Sequence, residues 1–203
     1  NSQGSINSNV ISALYQDEGG VIWIGTEGGG VNKWRPAALS LATESAPVED
    51  LWSGHRISAI FRDAQDTLWV GSENLGLFAT QLDGLQEQYD CQSLPCGNVE
   101  QLEVTAITGN RDGVWFGTDG GGLLKFTFAT QTFSLEALPV LPELAQWAVT
   151  SLHLAMDGTL WIGTENSLIV KHEPKTGAFV LIPLTPLLEL DAEFGNEVQC
   201  MHQ

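Results

Sequence analysis

Apolar and polar residues alternate along this chain in short bursts, and the bursts recur. Val10 to Tyr15, Ile57 to Phe61, Val104 to Ile107 and Val149 to Leu154 are apolar alternating runs. A polar turn bearing Gly or Asp follows each: Gln16 to Gly20, Arg62 to Asp66, Gly109 to Gly113 and Ala155 to Gly158. Next come five residues rich in β-branched and aromatic types. The four copies read Ile22-Trp23-Ile24-Gly25-Thr26, Leu68-Trp69-Val70-Gly71-Ser72, Val114-Trp115-Phe116-Gly117-Thr118 and Leu160-Trp161-Ile162-Gly163-Thr164. Two such runs across a short Gly/Asp turn predict a β-hairpin. A second turn, glycine-bearing in most copies, leads into a third run at Val31 to Trp34, Gly76 to Thr80, Leu123 to Phe128 and Leu168 to Lys171. A weaker fourth run closes most copies, as at Thr132 to Leu135 and Ala178 to Ile182.

The tryptophans at 23, 69, 115 and 161 stand 46 residues apart. A fixed period of this size means one supersecondary unit repeated. Four short antiparallel strands per repeat predict a propeller blade. The chain is therefore expected to be an all-β β-propeller segment of four four-stranded blades, at 9–47, 55–94, 102–140 and 148–190. Val198 to Gln203 aligns with Ile11 to Gln16, so a fifth repeat is expected to start at 196–203. Short helical turns are compatible with the links Leu138 to Trp147 and Leu184 to Glu193. Each repeated tryptophan reads as a large apolar wedge between packed blades. The glycine two residues after it is expected where a neighbouring backbone or large ring comes close.

The longer pattern resembles the two-component regulator propeller repeat. Copy 1 carries it from Ile11 through Asp17 and Trp23 to Gly28-Gly29-Gly30-Val31. Copy 3 keeps Trp115 through Gly120-Gly121-Gly122-Leu123 but is one residue short in its first turn, and copies 2 and 4 lose glycines at Asn74-Leu75 and Asn166-Ser167-Leu168. The resemblance implies a segment of a larger ring of about seven blades. It implies the non-catalytic, periplasmic sensing part of a bacterial membrane-bound receptor. The output module of such a receptor, past a membrane span, is a histidine kinase or a diguanylate cyclase. Its partners would be other blades or a second copy of the receptor. Four blades cut from such a ring leave two apolar wedge faces open, which predicts self-association unless the four close into a small ring.

Composition narrows the partners. Eight basic against 25 acidic residues give a net charge of −17. That surface repels phosphate backbones and anionic lipid, so no nucleic acid is expected as a partner. No run of 18 apolar residues occurs, so no membrane insertion of this segment is expected. Cys91 and Cys96 bracket Gln-Ser-Leu-Pro after blade 2. They read either as a small disulfide loop in an exported domain or as two free thiols. One Cys-x4-Cys without a second pair, and four scattered histidines, give no metal or cofactor site.

Recognition is expected where the repeat carries charge or is broken. An acidic residue fills the same slot after each tryptophan segment: Glu27, Glu73, Asp119 and Glu165. These read as a circle of carboxylates at one mouth, binding a cation or hydroxyl groups, or as caps on their own turns. Of three further tryptophans, Trp34 ends a third strand and reads as edge packing. Trp52, in the link Glu49 to Arg56, and Trp147, after the insertion Leu138 to Gln146, precede first strands. With His55 and Arg56 they form the candidate ligand face, where aromatic rings and polar groups suit a carbohydrate-like small molecule. Local packing of the links is the competing reading. The glycine runs open strands and are not dinucleotide-binding fingerprints. Arg35, Arg56, Arg62 and Arg111 hold no common slot, against the convergent arginines of a sialidase-like site. The expectation is thus a non-enzymatic sensor; the alternatives are an interaction scaffold and a glycoside-cleaving propeller enzyme.

Overall fold

The computed structural model describes residues 8–35, 40–43, 53–81, 85–96, 99–136, 148–165 and 168–183. Every regular element among them is a strand. The first meander comprises β1 (Ile11–Gln16), β2 (Ile22–Gly29), β3 (Val31–Arg35) and β4 (Ser40–Thr43). The second comprises β5 (Ser53–Arg62), β6 (Leu68–Ser72), β7 (Gly76–Thr80) and β8 (Gln86–Tyr89). The third comprises β9 (Val104–Gly109), β10 (Gly113–Thr118), β11 (Leu123–Thr127) and β12 (Thr132–Leu135). The fourth comprises β13 (Val149–Leu154), β14 (Leu160–Thr164), β15 (Leu168–Glu173) and β16 (Ala178–Pro183). Neighbours in each meander pair in chain order, antiparallel as in β1–β2, β10–β11 and β14–β15. The start of a fifth repeat at 196–203 and the links around 138–147 and 184–193 lie outside the described residues.

The first hairpin turn explains the Asp-x-x-Gly spacing. The Asp17 N–H donates to the Val21 carbonyl and the Gly20 N–H to the Asp17 carbonyl. Gly20 has φ 74°, Gly158 has φ 84°, and Asp66 holds the same place at φ 66°. Asp tolerates this left-handed position better than most side chains. The Asp63 carboxylate accepts the backbone N–H groups of Gln65 and Thr67 and, at 2.8 Å, the Trp69 indole Nε1. Asp17 likewise accepts from Val21 and, at 3.0 Å, from Trp23 Nε1. Ala155 stands in this slot of the fourth meander, where Trp161 is only half-buried. Trp23, Trp69 and Trp115 are 2%, 2% and 8% exposed.

The chain divides into two compact units, 1–90 with 101–104 and 91–100 with 105–203. Within each, a first strand packs across the preceding tryptophan strand by one repeated contact. Ile57, Val104 and Val149, all 0% exposed, sit over Gly25, Gly71 and Gly117. A Cβ on those glycines would fall 2.8, 2.7 and 2.6 Å from the branched side chain above. The neighbour that demands glycine is thus foremost a β-branched side chain, which corrects the expectation of a backbone or large ring. The hydroxyls of Ser12, Ser58 and Thr105 donate to the carbonyls of the same Ile57, Val104 and Val149. One residue thereby supplies both the apolar wedge and the polar tie. In the first unit Trp23, Val21 and Val31 pack with Ile60, Val70 and Phe78; in the second, Trp115 and Leu123 pack with Ile162 and Val170. Asn32 departs from this pattern. It is 1% exposed where the other meanders place Phe78, Leu124 and Val170, and its Nδ2 has no hydrogen-bond partner. Cys91 and Cys96 are not joined by a disulfide.

The first unit contains one feature the periodicity does not predict. Gly28 and Gly29 read as part of a turn, yet β2 runs through them and pairs with the start of β5, joining Glu27 to Arg56 and Gly29 to Ser53. The first two meanders thereby share an eight-stranded sheet. Gly28 at φ 80° and Gly30 at φ 72° supply the bend that aims the extension at β5.

Two outcomes follow. Gly71→Ala should destabilise the chain by about 1–3 kcal/mol through overpacking against Val104, and adding Val104→Ala should recover part of the loss. Urea midpoints of the parent, both single variants and the double variant test this; a double variant as unstable as the sum of the two singles would refute the seat. His172 on β15 contacts the Phe179 ring at 4.4 Å. Burial chiefly, with the Lys125 charge, holds its pKa below the ordinary 6.5, while Glu136 acts oppositely. The folded form therefore prefers neutral His172, and its stability is full above pH 6.5 and declines as pH falls toward the lowered folded value. His172→Phe should flatten this acid slope in thermal melts; an unchanged slope would exclude His172 as its source.

Candidate functional site

The acidic slot has a backbone role that accounts for its position. The N–H of Glu27 donates to the Val10 carbonyl, that of Glu73 to Arg56 and that of Glu165 to Ala148. Each acceptor immediately precedes the first residue of its meander's wedge, so the slot ties the second turn to the link entering the same meander. The side chains then differ. Glu165 accepts the Ala148 N–H at 3.2 Å, closing a reciprocal pair with that link. It caps the link rather than its own turn. Glu73 forms an ion pair with Arg56, Oε1 to Nη1. Glu27 and Asp119 are exposed.

The β2–β5 pairing gathers three nominated residues. Arg56 is the backbone partner of Glu27 and the ion-pair partner of Glu73. Half of the Arg56 side chain and 29% of the Glu73 side chain remain exposed. A guanidinium paired with one carboxylate, with a second glutamate on the facing strand, presents spare N–H donors beside carboxylate acceptors. Such a group suits a ligand rich in hydroxyls or bearing a carboxylate, and it suits a bare cation poorly. His55 is half-buried beside it, and strand alternation turns it to the other side of β5. Asp119 and Glu165 belong to the second unit and are not part of this group. Trp52 and Trp147 lie outside the described residues. Trp34 is half-buried on β3, opposite Ile22 on one side and Leu41 on the other.

Strand periodicity does not single out a second recurrent group. Lys33, Lys125 and Lys171 each follow a repeated tryptophan by ten residues. Each is the cross-strand partner of that ring, with Nζ 4.8, 4.7 and 5.8 Å from the centroids of Trp23, Trp115 and Trp161. A spacing of ten is the signal that marks them. Trp69 faces Ala79 instead and stacks on Tyr89 at 6.4 Å. Arg62 of β5 also covers Trp23 at 5.5 Å and lies 3.9 Å from Asp17. Much of the scarce positive charge is therefore spent on rings between strands. Among the described residues no cluster of three or more His, Cys, Asp or Glu is arranged to hold a metal. No helix among them is long and apolar enough to cross a membrane.

Comparison with known proteins agrees with the repeat. Residues 5–28 and 51–74 match the two-component regulator propeller family model. Three solved structures illustrate the likeness. One is the extracellular domain of a protein described as a one-component system of B. thetaiotaomicron, with TM-score 0.67 and 22% identity over 86% of this chain and 22% of that one. Another is the extracellular domain of a protein described as a hybrid two-component system of the same organism, with TM-score 0.66 and 22% identity over 88% and 24%. The third is virginiamycin B lyase from Staphylococcus aureus, with TM-score 0.64 and 15% identity over 89% and 56%. The structural likeness shows the fold alone: antiparallel all-β sheets of the β-propeller type. This chain spans under a quarter of the length of the two B. thetaiotaomicron domains. No curated protein sequence matches it.

The half-exposed Arg56 pair contributes little to folding. Arg56→Gln should change stability by less than about 1 kcal/mol, the usual worth of an exposed ion pair. Denaturant titration measures it, and a loss of several kcal/mol would make Arg56 a structural anchor instead of an available recognition group.

Proposed function

We propose that this chain is part of the sensing region of a bacterial membrane-bound signalling receptor and has no catalytic role there. The matches at 5–28 and 51–74 to the two-component regulator propeller model carry this reading. Likeness to extracellular domains of proteins described as one- and two-component systems supports it. On this reading the segment lies outside the cytoplasm, in the periplasm, and its occupancy is relayed to a kinase or cyclase.

The ligand on this reading is a small, hydroxyl-rich molecule, a carbohydrate or its breakdown product. Its site is the Glu27–Arg56–Glu73 group, with Trp52 in the adjoining link as a stacking surface. Arg56 would donate to ring or carboxylate oxygens, and the two glutamates would accept hydroxyl protons. The pre-existing Arg56–Glu73 pair orients the guanidinium before the ligand arrives and lowers the ordering cost.

A thermal-shift screen of oligosaccharides and small metabolites tests the proposal. At ligand concentrations near a hundred times Kd, binding stabilises by about 2.7 kcal/mol, which raises Tm by roughly 5–10 °C in a chain of this size. The expected outcome is such a shift in the parent, strongly reduced in Arg56→Gln and Trp52→Ala, with the ligand recovered chemically unchanged. Equal shifts in parent and both variants would move the site elsewhere, and conversion of the ligand to product would overturn the non-catalytic reading.

A further inference from the structure

We infer that the ligand of the Glu27–Arg56–Glu73 group is a sugar that carries an ammonium group, with the ammonium seated on Glu27. The inference rests on the sensing reading of this site and narrows its ligand class by charge. Hydrogen-bonding capacity alone admits a ligand carboxylate, because Arg56 keeps N–H donors to spare. The distribution of charge decides against one. Arg56 is already paired with Glu73, which leaves the carboxylate of Glu27 in excess. The chain as a whole carries −17. A ligand carboxylate would enter a group of surplus negative charge on a surface of the same sign, whereas an ammonium is drawn to both.

Glu27 finds no counter-charge within the chain. All eight Lys and Arg lie among the described residues. Lys33, Lys125 and Lys171 cover tryptophan rings, Arg62 joins Asp66, and Arg56 joins Glu73. None of the eight forms an ion pair with Glu27. Yet Glu27 is held more firmly than an ordinary surface glutamate. Its N–H donates to the Val10 carbonyl, and it pairs with Arg56 across the β2–β5 ladder. Residues directly opposite in a ladder share one side of the sheet, so the glutamate and the guanidinium face the same way. The register shifts between Glu27 and Gly29, and such bulges re-aim side chains. The ribbon beside them is bare. Gly28 at φ 80° and Gly54 at φ 85° have no atom within 4 Å of where a side chain would begin. A fixed carboxylate without a counter-ion thus borders a stretch free of side chains, with room for a ring. A metal ion would gain nothing from the guanidinium. A ring with several hydroxyls and one ammonium uses all three charged groups.

Titration calorimetry on the full chain tests this at about pH 6, where an amine is protonated. Trimers of glucosamine, N-acetylglucosamine and galacturonic acid supply a cationic, a neutral and an anionic probe. The glucosamine trimer is expected to bind roughly fivefold tighter than its N-acetyl counterpart, the upper end for an exposed ion pair. The galacturonate trimer is expected to bind more weakly than either, and added salt should narrow the spread. Glu27→Gln keeps the shape and removes the charge, so the two glucosamine-based trimers should then bind alike. Glu27→Lys should turn the preference toward galacturonate. Glu18→Gln removes the same charge from an exposed residue in the β1–β2 turn and should keep the parent's preference. Circular dichroism confirms the strand content of each variant. A parent that binds all three alike or favours galacturonate would overturn the inference and leave the sensing site standing. So would a preference that survives Glu27→Gln or is lost in Glu18→Gln, because overall charge would then explain it. A parent that binds none of the three at millimolar concentration would overturn the inference and the site together.

Discussion

Much of this molecule depends on three glycines that lie beneath a β-branched side chain. With only a hydrogen on Gly25, Gly71 and Gly117, the next meander's first strand comes close enough to set Ile57, Val104 or Val149 into the gap. That approach brings the wedge carbonyl within reach of Ser12, Ser58 or Thr105. It also closes the neighbouring tryptophans against apolar rows such as Ile60, Val70 and Phe78. Apolar burial drives the association, and the hydroxyl tie removes the cost of enclosing a bare carbonyl. A single methyl on the glycine would push the strands apart and loosen all three effects together.

The tryptophans link this packing to the turns. In the first two meanders the carboxylate of Asp17 or Asp63 caps the hairpin and also accepts the indole proton. A buried indole N–H needs such an acceptor, so a turn residue fixes the ring's orientation. A lysine from the third strand covers the ring in three meanders. Cap, ring, lysine and glycine come together in full in the first meander, and the other meanders keep subsets of the four. Where Ala155 removes the cap, the ring beside it is less enclosed, which is the graded result expected when one member of a coupled set is lost.

Most of this was legible in the sequence because it repeats. Alternation marks the strands, and Gly76–Thr80 and Thr132–Leu135 coincide with the predicted runs. Glycine after tryptophan flagged a close approach, though a residue's own type does not say what approaches it; the partner lies 32 or 33 residues onward, at Ile57 or Val104. The β2–β5 pairing was not legible. Glu27-Gly28-Gly29 has the composition of a turn, and a similar stretch in the third meander, Gly120 to Gly122, does form one. The difference comes from a tertiary partner, the extended start of β5, which no local pattern encodes. Asn32 is hidden in the same way: its amide fits an exposed strand edge, yet the fold buries it.

The same reasoning separates scaffold from recognition. A slot present in every repeat is consumed by what every repeat must do, and the acidic slot ties its turn to the link through the backbone N–H of Glu27, Glu73 and Glu165. The carboxylate itself is free to differ: Glu165 spends it on Ala148, whereas Glu73 spends it on Arg56. Arg56 has no counterpart in the other links, where Val10 and Ala148 hold its place. The irregular pairing of β2 with β5 sets Glu27 opposite this one irregular arginine. Two departures from the repeat thus coincide at a single exposed point. Residues that the packing leaves free, and that the chain nevertheless brings together, are the ones available for binding.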